Sequence, residues 1–149
     1  MFMNVQHIKF LPLLFRVNLS IAVSLTAFIG YVHCSHTVSA GALYVCIGVF
    51  LLAAGASSLN QLQEILSDSR MKRTTGRPLP AKIYTKSQVL LISTGIISLG
   101  FLLLFQTTTH SAALLGLFTV AWYNGFYTPL KKRTPYAFLI GAICGALPP

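Results

Sequence analysis

Four long stretches of the chain carry almost no charge, and their lengths suit helices that cross a bilayer. The hydrocarbon core takes roughly 20 mostly apolar residues in helical form. Runs of this kind cover about 11–32, 38–59, 89–105 and 112–127, the last two near the short end of the range. A fifth run, 136–147, would rise only ~18 Å against a core of ~30 Å, and is read as a truncated span in preference to a re-entrant piece. None alternates apolar and polar residues as a barrel strand must, and a segment in lipid has to satisfy its own backbone groups. The pattern therefore predicts an all-α fold. It is a polytopic transmembrane helical bundle of four complete spans plus the truncated fifth, with residues 1–149 forming one membrane unit. Arg16 lies near the start of the first run, where its side chain can reach the interface.

Charge sets the orientation. Lys and Arg number 11 against two acids, for a formal net charge of +9. Such an excess can mark a nucleic-acid binder, but here the bases sit in short segments between apolar runs, as membrane topology dictates, and no nucleic-acid partner is expected. Lys9 and Arg16 open the first run. Arg70, Lys72, Arg73, Arg77, Lys82 and Lys86 separate the second from the third, and Lys131, Lys132 and Arg133 follow the fourth. The segments 33–37 and 106–111 hold no Lys or Arg, so the positive-inside rule puts the N-terminus and both basic segments in the cytoplasm. A cleaved signal peptide fits the first run poorly, since Arg16 splits its early part and a second span follows at once. With 54% hydrophobic and 9% charged residues, a soluble domain and a disordered chain are both excluded.

Other features add little. Cys34, Cys46 and Cys144 form no CxxC pair, and His33, Cys34 and His36 lack a fourth ligand, so neither a disulfide framework nor a zinc site is implied. Trp122, Tyr123 and Tyr127 read as an interfacial aromatic belt. Only Gly141 and Gly145 have GxxxG spacing, which signals close helix packing there and nowhere else among the glycines. The small residues Ala53 to Ser58 suggest a tight approach just before Asn60.

The two acids are the chemical core of the sequence. Asn60, Glu64 and Asp68 follow at i, i+4 and i+8, which on a helix forms one stripe of oxygen ligands within ~80°. Two like charges at this spacing repel, and a divalent cation between them turns repulsion into coordination. Magnesium suits the stripe, because it takes one or two carboxylates and completes its shell with water and phosphate oxygens. Arg70, Lys72, Arg73 and Arg77 come within nine residues of Asp68, and such a cluster beside magnesium suits a diphosphate. A solvated helix end beside a positive segment is the plainer alternative.

Asn60-xxx-Glu64-xxx-Asp68, followed by Met71-Lys72-Arg73-Thr74-x-x-Arg77-Pro78-Leu79-Pro80, resembles the first aspartate-rich motif of the intramembrane UbiA prenyltransferase superfamily. The continuation resembles its protoheme IX farnesyltransferase (heme O synthase) branch. Tyr127-Thr-Pro-Leu-Lys131-Lys-Arg-Thr-Pro135 and Gly141-Ala-x-x-Gly145-Ala-x-Pro148-Pro149 are similar to the same branch further on. The resemblance implies transfer of farnesyl from farnesyl diphosphate to a vinyl group of heme B, in a lipid bilayer, with water adding to leave a hydroxyethylfarnesyl chain. It implies that Asn60, Glu64 and Asp68 are catalytic and hold magnesium, and that Lys72, Arg73 and Arg77 pair with the diphosphate. Lys131, Lys132 and Arg133 would contact diphosphate or a heme propionate, though topology explains them equally well. The family carries Asp where this chain has Glu64, which keeps the charge but reaches one methylene further.

Superfamily members have two related halves with an aspartate-rich motif in each. Besides Glu64 and Asp68 this sequence has no acid, so the second motif is missing from it. The expectation is an N-terminal part of a bacterial inner-membrane enzyme, its motif loops cytoplasmic and its residues inactive alone. Two other readings stay open: a sibling prenyltransferase acting on an aromatic quinone precursor, and a truncated membrane protein with no enzymatic role.

Overall fold

The computed structural model describes residues 5–131 together with Thr134, Tyr136, Ala137, Leu139, Gly141 and Ala142. All regular structure among them is helical: α1 (Val5–Leu14), α2 (Val17–Ser35), α3 (Ala40–Arg70), α4 (Lys86–Thr107) and α5 (His110–Trp122), then a π turn (Tyr123–Tyr127) and α6 (Thr128–Leu130). Three of these helices, α2, α3 and α4, are long and apolar enough to cross a membrane. Helix α5 runs through the π turn into α6, so the fourth apolar run is continuous helix from His110 to Leu130. Most of the fifth run, with Gly145 and Cys144, lies outside the described residues, as do Lys132 and Arg133.

The first apolar run is two helices rather than one. Helix α1 ends at Leu14, and Arg16 takes the left-handed conformation (φ 45°, ψ 53°) before α2 begins. The break strands the last carbonyls of α1, which a helix end must satisfy from elsewhere. Gln61, buried on α3, supplies the donors: its Nε2 gives hydrogen bonds to the carbonyls of Leu13 (2.9 Å) and Leu14 (3.0 Å). Hydrophobicity alone cannot report such a break, because the residues on both sides are equally apolar.

Helix α3 is the axis of the bundle, packed by α2 and α4 along its length and by α1 and α5. Its 31 residues rise about 46 Å, more than the ~30 Å hydrocarbon core, so it carries Asn60, Glu64 and Asp68 beyond the 59 at which its apolar run stops. Against α4 it packs very closely. A Cβ at Gly100 would lie 2.9 Å from the Gly48 carbonyl oxygen and 3.1 Å from the Leu52 backbone nitrogen, one at Gly48 would lie 2.6 Å from Leu104, and one at Gly55 would strike Ile97. This corrects the reading that only Gly141 and Gly145 mark close packing: Gly48 and Gly55 are a heptad apart and fall outside the GxxxG spacing. Between them and the site, the Ser58 and Ser93 hydroxyls join α3 to α4 at 2.7 Å.

The segment between α3 and α4 folds back instead of standing in solvent. Leu79 and Tyr84 are buried with Leu14 of α1 and Val89 of α4. Burial raises the Tyr84 phenol above its ordinary 10.0, so it stays neutral. A capping box starts α4, Thr85 accepting from the Gln88 N–H and Gln88 accepting from that of Thr85. Large apolar side chains such as Leu91, Leu99 and Leu102 face outward, the arrangement lipid requires.

Gly100→Val is expected to lower stability by about 1–3 kcal/mol, since its side chain meets backbone that cannot move aside. Gly95→Ala, with nothing within 4 Å of the new Cβ, should leave stability unchanged or raise it by ~0.5–1 kcal/mol. Thermal unfolding in detergent, followed by circular dichroism, separates the two.

Candidate active site

The end of α3, the segment after it, the α1–α2 break and the end of the fourth helical run meet around one cleft of about 760 Å³. Glu64 and Asp68 line it from α3, Arg73 and Arg77 from the following segment, Arg16 from the break and Lys131 from beyond α6. The cleft thus gathers both acids of the sequence and four of its bases.

Each acid is held by one base. Arg77 Nη1 lies 2.7 Å from Asp68 Oδ1 and 2.6 Å from Oδ2, closing the segment onto the helix that precedes it. Thr74 Oγ1 donates to the Asp68 carbonyl at 2.8 Å, satisfying one of the terminal acceptors of α3. Lys131 Nζ lies 2.8 Å from Glu64 Oε1 and 5.2 Å from the centroid of the Tyr127 ring. Both carboxylates are largely withdrawn from water, with side-chain exposures of 6% and 13%, so leaving either without its base would be costly.

Asn60 stands behind the cleft. It is fully buried, its Nδ2 donates to Glu64 Oε2 at 3.0 Å, and its Oδ1 accepts from Thr128 Oγ1 at 3.0 Å and Lys131 Nζ at 3.3 Å. The amide oxygen is therefore engaged with protein donors while the carboxylates face the cleft. Thr128 reaches Asn60 because of the π turn: its own N–H bonds the Tyr123 carbonyl five residues back. Pro129 follows without an N–H and cannot continue the ordinary ladder. Tyr123 packs against the core of α3 and Tyr127 lies beneath Lys131, so these two aromatics serve the bundle and the site as well as any interface.

Two carboxylates one turn apart on the wall of a cleft are oxygen groups of the kind that could hold a hard cation which keeps water and ligand oxygens in its shell. No cluster of three or more His, Cys, Asp or Glu occurs among the described residues.

Residues 19–149 match the family model for the UbiA prenyltransferase family. The chain belongs to that family. It is 36% identical over 137 residues to protoheme IX farnesyltransferase of Nitratidesulfovibrio vulgaris (strain DP4), covering 92% of this chain and 48% of the relative. It is 38% identical over 136 residues to the protein of that name from Geobacter sulfurreducens, covering 91% and 50%. A mitochondrial protoheme IX farnesyltransferase of Arabidopsis thaliana is 37% identical over 137 residues, covering 90% and 32%. The chain spans about half the length or less of these relatives. No solved structure matches it. Family membership and the three long apolar helices make it an integral membrane protein.

Of the residues the sequence singles out in this family member, the fold brings together Glu64, Asp68, Arg73, Arg77 and Lys131, with Asn60 just behind them. Lys72 is exposed and lines no part of the cleft. Lys132 and Arg133 lie outside the described residues. Sequence reasoning missed Arg16, Gln61 and Thr128. Arg16 did leave a signal, a guanidinium interrupting an apolar run, which is a functional hint in any membrane helix.

Gln61 is adjacent to Asn60 and ties the break at Arg16 to the acidic stripe. Gln61→Leu, which leaves the Leu13 and Leu14 carbonyls without their donor, is expected to cost about 1–3 kcal/mol. Hydrogen exchange should show the loss as faster exchange around Arg16 while the centres of α3 and α4 stay protected.

Proposed function

We propose that this protein takes part in magnesium-dependent prenyl transfer of the heme O synthase type, moving farnesyl from farnesyl diphosphate to a vinyl group of heme B. The observation that carries the reading is the cleft itself, where both acids of the chain stand at helical spacing among four bases. The printed names of the relatives supply the substrates, a farnesyl donor and protoheme IX.

In this reading Glu64 and Asp68 hold magnesium, with Asn60 orienting Glu64 through its amide. When bound, the ion supplies charge stabilisation to a departing diphosphate. Arg77 and Lys131, released from the acids, swing their charges onto the phosphate oxygens, and Arg73 adds a third base from the exposed rim. These groups act on the leaving group, where negative charge develops as the allylic carbon–oxygen bond breaks. Lys72 acts outside this inner set, as attraction for an anionic ligand, and Lys132 and Arg133 would contact the diphosphate or a heme propionate, or serve as topology signals.

The reading extends to the membrane. Helices α2, α3 and α4, and the continuous helix from α5 to α6, would be the four spans. Bases flank the ends that carry the cleft, which supports a cytoplasmic N-terminus and cytoplasmic motif segments, and the bacterial relatives favour a bacterial inner membrane.

Membranes carrying the protein, incubated with farnesyl diphosphate, heme B and magnesium, are expected to form a product heavier than heme B by a farnesyl group and a hydroxyl group. Mass spectrometry reads it directly. Glu64→Gln combined with Asp68→Asn should lower product formation by about two orders of magnitude or more, and a magnesium chelator should act likewise. Unchanged turnover in the double variant would refute the magnesium assignment.

A further inference from the structure

Arg16 is the one base of the cleft that is half-buried and has no anion. Arg77 and Lys131 are each matched to an acid, and Arg73, also without one, is exposed at the rim. Among the described residues the Arg16 guanidinium makes no ion pair and no hydrogen bond, while the cleft it lines holds the only two carboxylate side chains in the sequence, both engaged. No further acid exists in these residues to neutralise it. A guanidinium fork in a partly desolvated place, with five donors and no acceptor, calls for a planar oxyanion it can meet with two parallel bonds.

Its position separates it from the other bases. Arg77, Arg73 and Lys131 surround the end of α3, whereas Arg16 enters from the α1–α2 break, beside the half-exposed Leu13 on the cleft's wall. The backbone holds it there against its own preference. Arg16 has φ 45°, a conformation that favours glycine, and Gln61 fixes the two residues before the break. An anion bound at Arg16 would have the half-exposed Leu13 beside it, on the part of the cleft wall that carries neither carboxylate. That suits an amphipathic ligand with a large apolar body and a carboxylate at its edge better than a second phosphate.

We propose that Arg16 is the anchor for a carboxylate of the acceptor, a propionate where the acceptor is heme, and that Gln61 is the positioning residue that presents it. The inference rests on the prenyl-transfer reading only for the identity of the acceptor.

The test is a binding titration that needs no turnover. The protein in detergent or nanodiscs is titrated with heme B and, separately, with heme B dimethyl ester, whose propionates carry no charge, and Soret absorbance gives each Kd. Arg16→Gln is expected to weaken heme binding roughly tenfold or more, the worth of a charge-assisted bidentate pair, and to leave ester binding unchanged; Arg16→Lys should recover part of the loss. Gln61→Leu should weaken heme binding in the same selective way but less. Equal effects of Arg16→Gln on both ligands, no effect on either, or failure of the wild-type protein to bind heme would each overturn the proposal. So would an Arg16→Gln protein that keeps heme affinity while inorganic diphosphate with magnesium binds more weakly, since Arg16 would then belong to the diphosphate. A wild-type protein that binds heme and ester alike, yet still farnesylates heme, would remove the anchor and leave the prenyl-transfer reading standing.

Discussion

The structure depends on the way two acids are divided among bases from distant parts of the chain. Asp68 takes Arg77 from the segment that follows it, and Glu64 takes Lys131 from the end of the fourth helical run. Ion pairs this withdrawn from water gain little net stability, because desolvation offsets attraction. Their effect lies in assembly. The pairing the fold adopts takes one base from each of two distant segments, and so draws Lys131 and the basic segment to the same end of α3.

Other polar contacts extend this order into the apolar interior. The Ser58–Ser93 bond links α3 and α4 two residues before the stripe begins, and Gln61 closes the break in the first run. Around them the helices touch through glycine backbone at Gly48 and Gly100, where packing is dense enough to fix the height of one helix against the other. The helix that carries both acids is thus the one most closely packed against its neighbour α4.

Much of this was legible in the sequence. Charge-free runs announced helices, and the spacing of Asn60, Glu64 and Asp68 placed both acids on one helical face before any coordinates. The basic residues after Asp68 were visible as a cluster, but a one-dimensional pattern cannot say which of them turn inward: Arg77 does, and Lys72 does not. The break at Arg16 was hidden because its repair comes from Gln61, 45 positions away in numbering and unremarkable by itself. The burial of Leu79 and Tyr84 was hidden too, since a segment rich in bases and prolines reads as solvated. Asn60 was seen as a third oxygen ligand. Its bonds to Thr128 and Lys131 arise only when the fourth run packs against α3.

The π turn has a meaning for phase. An α-helix advances about 100° per residue, so a turn that spends one residue more than the α ladder rotates every later side chain by about that angle relative to the helix before it. Residues up to Trp122 follow one face, and Thr128 and Lys131 are dialled onto another, the one that meets Asn60 and Glu64. The helix thereby serves two surfaces with one continuous backbone: an apolar flank chosen for its neighbours in the bundle, and a polar end aimed independently at the cleft.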